Sequence, residues 1–229
     1  MHDTSTLSCL TDKKNVTHLN FAIIIVFILT AAYGCSGKYG LFGPGPFEVV
    51  EADTRFSNQK GPILMSRNNR ISTKSITGGV HIDDSGVFIN PTVMKAKDTG
   101  EIISLWLSIF NKTFYDTKFG GSNTLGVMSN ITFLLNNNQT ISLPIKNGDV
   151  SWGDKAQYNN VSKSASSTII ESGTAFISVN QYHDIVAADS LAVQIQGSKR
   201  SVTYEFQDIS ASFLNNLKMF FSEYVKQEE

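Results

Sequence analysis

Residues 103–110 alternate with a period of two. Ile103, Leu105, Leu107 and Ile109 fall on one side of an extended chain, and Ser104, Trp106, Ser108 and Phe110 on the other. Successive side chains of a strand point to opposite faces, so this run predicts a strand with an aliphatic face against a core. The same alternation recurs between turn-forming clusters. Val80–Ile82 and Val87–Ile89 flank Asp83-Asp84-Ser85-Gly86, and 91–97 and 101–111 flank Asp98-Thr99-Gly100. Residues 130–135 and 140–145 bracket Asn136-Asn137-Asn138-Gln139, and 191–196 and 201–206 bracket Gly197-Ser198-Lys199-Arg200. Four hairpins are predicted, because Asn, Asp and Gly supply the backbone conformations that tight turns need.

Two segments read as helix. Residues 180–188 place Tyr182, Ile185 and Val186 at helical spacing, with Ser178 or Asn180 as cap. Near the C-terminus, Ile209, Phe213, Leu217, Phe221 and Tyr224 form one stripe, widened by Leu214 and Val225, with Asp208 or Ser210 as cap. The expected fold is mainly β: an antiparallel β-sandwich or partly open barrel with a short helix and a C-terminal amphipathic helix. The alternative is an α+β domain with one antiparallel sheet and the helix across a face.

The first 35 residues have a different character. Phe21–Ala32 is apolar but for Thr30, and Lys13 and Lys14 precede it. As a helix this run spans about 18 Å, short of the ~20 residues that a bilayer core demands. That length suits the core of a signal peptide. Small residues collect at its end, and the run closes on Ala32-Tyr33-Gly34-Cys35. This tetrapeptide resembles the lipobox of bacterial lipoproteins. The resemblance covers only about the first 36 residues. It implies cleavage before Cys35, a diacylglyceryl group on its thiol, and a membrane tether through that lipid, with palmitate a fitting acyl chain. Ser36, which is not acidic, implies sorting to the outer membrane, with the domain facing the periplasm or cell surface. Two other readings stay open: a single-pass, uncleaved signal-anchor with the same outward domain, and plain secretion after 30–32. Translation from a downstream start near Leu10 would shorten the leader.

The expected organisation is a signal peptide over 1–34, a lipid-anchor cysteine with a Gly/Pro-rich linker and mixed segment over 35–59, and a β-rich domain with its C-terminal helix over 60–229. Within this, "SRNNRISTKSITGG" (66–79) reads as a polar, mobile loop.

Composition excludes several functions. Both cysteines, Cys9 and Cys35, precede the domain, so it carries no disulfide, cysteine-based zinc site or cysteine nucleophile. Net charge is −1 and no basic run occurs, which argues against a nucleic-acid partner. No phosphate or dinucleotide cradle is present, and no cofactor is expected. Asp84-Ser85-Gly86 and Asp98-Thr99-Gly100 match the Asp-Ser/Thr-Gly pattern of aspartic proteases, but turn chemistry accounts for both. His81 with Asp83 and Asp84 offers carboxylate and imidazole groups, too few for a metal site.

The expected function is a lipid-anchored cell-envelope protein carrying a non-catalytic binding or structural module, so the sequence leans away from an enzyme. Its partner would be another envelope protein or a glycan. The candidate ligand-binding residues are Trp106, Phe110, Phe114, Tyr115 and Phe119, aromatics set among polar neighbours. The alternative is an envelope hydrolase that uses His81 or His183 as its base.

Overall fold

The computed structural model describes residues 44–53, 61–81, 83–118, 120, 123–153, 156–161 and 163–226. The expected signal peptide, Cys35, most of the expected Gly/Pro-rich linker and Phe119 lie outside the described residues. Ten strands make up most of the fold: β1 (Glu48–Glu51), β2 (Ile63–Arg67), β3 (Gly86–Lys95), β4 (Ile102–Asp116), β5 (Met128–Leu135), β6 (Gln139–Trp152), β7 (Gln157–Asn159), β8 (Ser164–Phe176), β9 (Leu191–Gly197) and β10 (Ser201–Tyr204). Helix α1 (Val179–Ala187) lies between β8 and β9. A 3-10 turn, Phe206–Asp208, leads into helix α2 (Ala211–Phe220), which ends in a π-helical turn, Phe221–Val225. The fold is mainly β, as the alternation predicts.

All pairings are antiparallel, in the order β1-β2-β3-β4-β8-β6-β5-β9-β10, with β7 beside β8. The sheet is open, its two edges being β1 and β10. Strand β6 turns this one sheet into two facing layers. Its first half pairs with β5 (Thr140 opposite Leu134) and its second half with β8 (Trp152 opposite Ile169). The change of partner falls between Pro144 and Ile145, and just beyond it, within the β8-paired half, the register shifts from Lys146 to Asp149, across Asn147 with φ +53° and Gly148. A bulge at such a point bends a strand and lets it pass from one sheet to the other.

The core lies between the layers. Ile89, Val93, Leu107 and Ile109 come from one, and Ile131, Phe133, Val193 and Ile195 from the other, all at most 1% exposed. The aliphatic face of β4 is core at Leu105, Leu107 and Ile109, whereas Ile103, near the strand's start, is 41% exposed. Removing apolar surface from water, at about 25 cal/mol per Å2, is the main force holding the layers together.

Three of the four predicted hairpins form: β3–β4, β5–β6 and β9–β10. In the second, three residues, Asn136–Asn138, connect the last pair, Leu135 and Gln139; Asn136 and Asn137 sit at φ +51° and +59°, left-handed conformations that asparagine tolerates, and the Asn138 amide donates to the Leu135 carbonyl at 3.1 Å. The fourth does not form. Val80 bridges Lys74 and Phe88 bridges Arg70, so the two runs pair with residues 70–74 and not with each other. That segment is no free loop: Asn69 and Ile71 are fully buried. Asn69 Nδ2 donates to the Ile89 carbonyl, and the Ser210 amide donates to that of Ile71.

Ser178 caps α1, its Oγ accepting from the Gln181 amide while the Gln181 side chain accepts from the Ser178 amide. Ser210 caps α2 by accepting from the Phe213 amide. On α2 the buried face differs from the expected stripe. Ile209, Phe213, Leu217 and Val225 are buried as expected, but Phe220, which is not on the stripe, is buried too, while Phe221 and Tyr224 are only partly buried. Phe220 follows Leu217 in ordinary helical register, and the wider π-helical turn then brings Val225, five residues on, to the same side.

Candidate functional site

A buried carboxylate organises one end of the sandwich. Glu171 of β8 is fully buried and faces inward between Asn111 of β4 and Val150 of β6. Its Oε2 accepts from Asn111 Nδ2 and from the Leu125 amide, and its Oε1 accepts from the Gly126 amide, each at 2.7 Å. Two consecutive backbone amides need two acceptors close together, which a carboxylate supplies. Gly126 has φ +82°, and a Cβ there would collide with the Ser198 hydroxyl and press on the Lys199 amide.

The chain pinned by Glu171 in turn holds the β9–β10 turn. The Lys199 amide donates to the Leu125 carbonyl (2.8 Å), the Ser198 amide to that of Val127 (2.9 Å), and the Val127 amide to Ser198 Oγ (3.0 Å). Lys199 thereby joins the lining of a cavity of about 300 Å3, with Tyr115, Thr124, Val150, Ser151, Trp152 and Ile169. Trp152 stands opposite Ile169 and Tyr115 opposite Ser167, on the inward face of the β4–β8–β6 layer. Their rings meet edge to face at 5.5 Å. Trp152 is nonetheless 62% exposed. Tyr158 of β7, opposite Ala165, continues the same face and is 60% exposed. Four residues of β8 separate the register positions of Trp152 and Tyr158, about 13 Å at roughly 3.3 Å per residue. The result is an aromatic ledge with a cavity at one end whose lining includes a lysine.

Of the five aromatics singled out in the sequence, only Tyr115 lies here. Strand β4 continues to Asp116, so Phe114 and Tyr115 are strand residues, and alternation sends them to opposite faces. Trp106, Phe110 and Phe114 lie on the outer face, where Trp106 packs on Phe176 at 6.3 Å. Phe110 and Phe114 are 36% and 49% exposed, and neither lines the cavity that Lys199 joins. Phe119 is outside the described residues. Trp152 and Tyr158 escaped the sequence reading because "NGDVSW" and "AQYNN" lack apolar alternation; the isolated Trp152 in a polar stretch was the available signal.

The histidines lie elsewhere. His81 Nδ1 is 2.7 Å from Ser85 Oγ, which also donates to Asp83 Oδ1, and Arg70 donates to the carbonyls of Asp83 (2.7 Å) and Ser85 (3.2 Å). Asp84 pairs with Lys112 at 2.5 Å. Burial holds the His81 imidazole below its ordinary value of 6.5, with Asp83 pulling the other way. Burial raises the Asp83 carboxyl, but the Ser85 hydrogen bonds and His81 outweigh it and hold it below its ordinary value. The order differs from a nucleophilic triad, since the hydroxyl sits between imidazole and carboxylate, and Ser85 is only 3% exposed. His183, on α1, packs against Phe221 at 5.5 Å, with Asp184 at 3.7 Å.

Among the described residues, no group of three or more His, Cys, Asp or Glu side chains could hold a metal ion. Nor is any helix among them long and apolar enough to cross a membrane. Compared with known proteins, the chain matches no family model, no curated protein and no solved structure.

Proposed function

We propose that this chain is a lipid-tethered module of the cell envelope that binds glycan rings on the Trp152–Tyr115–Tyr158 ledge and performs no chemistry of its own. The observation that carries the reading is Trp152. A large ring 62% exposed, braced by Tyr115 and beside a cavity, is an open stacking platform. The face of an indole carries negative charge density and attracts the positively polarised C–H groups on the flat side of a pyranose. The tether rests on Ala32-Tyr33-Gly34-Cys35 and the apolar run before it, and an outer-membrane location on Ser36.

Two experiments test it. On an array of envelope glycans the protein should bind, and Trp152→Ala should abolish binding while Phe114→Ala leaves it unchanged; binding that survives Trp152→Ala refutes the ledge. A clickable palmitate analogue should label the wild type and not Cys35→Ser. Label on the mutant removes the lipoprotein reading, and an unlabelled, membrane-bound wild type favours the single-pass anchor.

The contact of His81 with Ser85 keeps a second reading, an envelope hydrolase, in view. A hydrolytic activity lost in His81→Ala or His183→Ala would support it. The burial of Ser85 weighs against it, because a nucleophile must reach its substrate.

A further inference from the structure

We propose that the glycan taken by the ledge is an acidic one, whose ring carboxylate pairs with Lys199 while its apolar face lies on Trp152. This rests on the glycan-binding reading above and specifies the ligand.

Lys199 lines the cavity, and among the described residues its ammonium has no ion-pair partner. The neighbouring carboxylates are committed or turned away. Glu171 is fully buried and accepts three N–H donors. Asp116 and Asp149 stand opposite Ser166 and Ser172, on the outer face of the layer. The described inner end thus presents a cation and three aromatic rings, and no anion. A ligand that complements it has a flat apolar side and a negative charge at its rim.

The form of the charge follows from the backbone. Sites for phosphate draw on several free amides in a concave run. Here the Leu125 and Gly126 amides are consumed by Glu171, and the Val127 amide by Ser198. What remains is a single positive charge, which one carboxylate balances and a phosphate dianion exceeds. The turn bearing that charge is tied to the chain that Glu171 pins, so its backbone is in place before the ligand arrives. With roughly 13 Å between the register positions of Trp152 and Tyr158, the ledge accommodates more than one sugar. An oligomer of uronic acid units fits each of these features.

The test compares a uronic-acid tetrasaccharide with its carboxyl-reduced, neutral counterpart by titration calorimetry on the full-length protein purified in detergent. The acidic form should bind about three- to tenfold more tightly at low salt. Lys199→Gln should bring it down to the neutral form's affinity, and added salt should do the same. Trp152→Ala should abolish binding of both. Both side chains are exposed, so circular dichroism should show that the variants stay folded. Equal affinity for the two sugars, or Lys199→Gln without effect, overturns the acidic-ligand proposal and leaves ring binding standing. Failure of both sugars to bind overturns the proposal, and if the array also shows no Trp152-dependent binding, the glycan reading falls with it.

Discussion

Glu171→Gln should destabilise the domain by at least about 3 kcal/mol. The carboxylate takes three N–H donors at 2.7 Å, from Asn111, Leu125 and Gly126, in a fully buried position. Net of the water exchanged, a hydrogen bond to a charged group contributes about 1.5–3 kcal/mol, a neutral one about 1, and a buried donor left unpaired costs about 1–3. Glutamine keeps one acceptor oxygen. If that oxygen serves Asn111 and Leu125, the new NH2 faces the Gly126 amide, donor against donor. If the side chain flips, two donors lose their acceptor. In either pose the surviving bonds drop from charged to neutral strength. For a domain of this size each kcal/mol moves the midpoint by about 2–4 °C, so Tm should fall by about 6–12 °C or more. Thermal denaturation followed by circular dichroism reads the global effect. Amide hydrogen exchange at Leu125, Gly126 and Lys199 reads the local one, and protection there should fall. A Tm within about 2 °C of wild type, with exchange at those amides unchanged, would refute the view that Glu171 holds this end of the sandwich.

Three further outcomes are expected. Gly126→Ala should lower stability by about 1–3 kcal/mol in urea titration, because the added methyl meets the Ser198 hydroxyl at φ +82°. Tyr182→Phe should cost about 0.5–1.5 kcal/mol, since the buried hydroxyl donates to the Leu217 carbonyl at 3.1 Å and joins α1 to α2. The third is a pH effect. His81 titrates below 6.5 when folded, so the unfolded chain binds its proton first as pH falls, and stability present above pH 6.5 is lost on acidification towards the folded-state value. His81→Gln should flatten the urea midpoint against pH in that window, and an unaltered slope would remove His81 as its source.

Much of the fold was legible because alternation and turn chemistry act locally. Leu105, Leu107 and Ile109 announce a buried face, and Asn136-Asn137 a hairpin, within a few residues of chain. The 80–89 hairpin failed because tertiary pairing with Arg70 and Lys74 overrode a pattern that looked complete by itself. The site was hidden for a related reason. Tyr115 and Phe114 look alike in the sequence, and only the extension of β4 to Asp116 separates their faces. Glu171 sits in "TIIESG" like any exposed acid of a strand, and its partners are 45 to 60 residues away. Long-range hydrogen bonds of this kind leave no periodic trace.

Strand β6 belongs to both layers, and this has a mechanical consequence. Neither layer can peel off while the other keeps its full ladder, because Gln139–Trp152 would have to leave both. A fault on either side is therefore transmitted along a single piece of backbone, and melting should proceed as one event, with calorimetric and van't Hoff enthalpies in agreement. Severing the chain at Asn147-Gly148, where the strand bends, would split that shared beam and give each layer its own melting temperature.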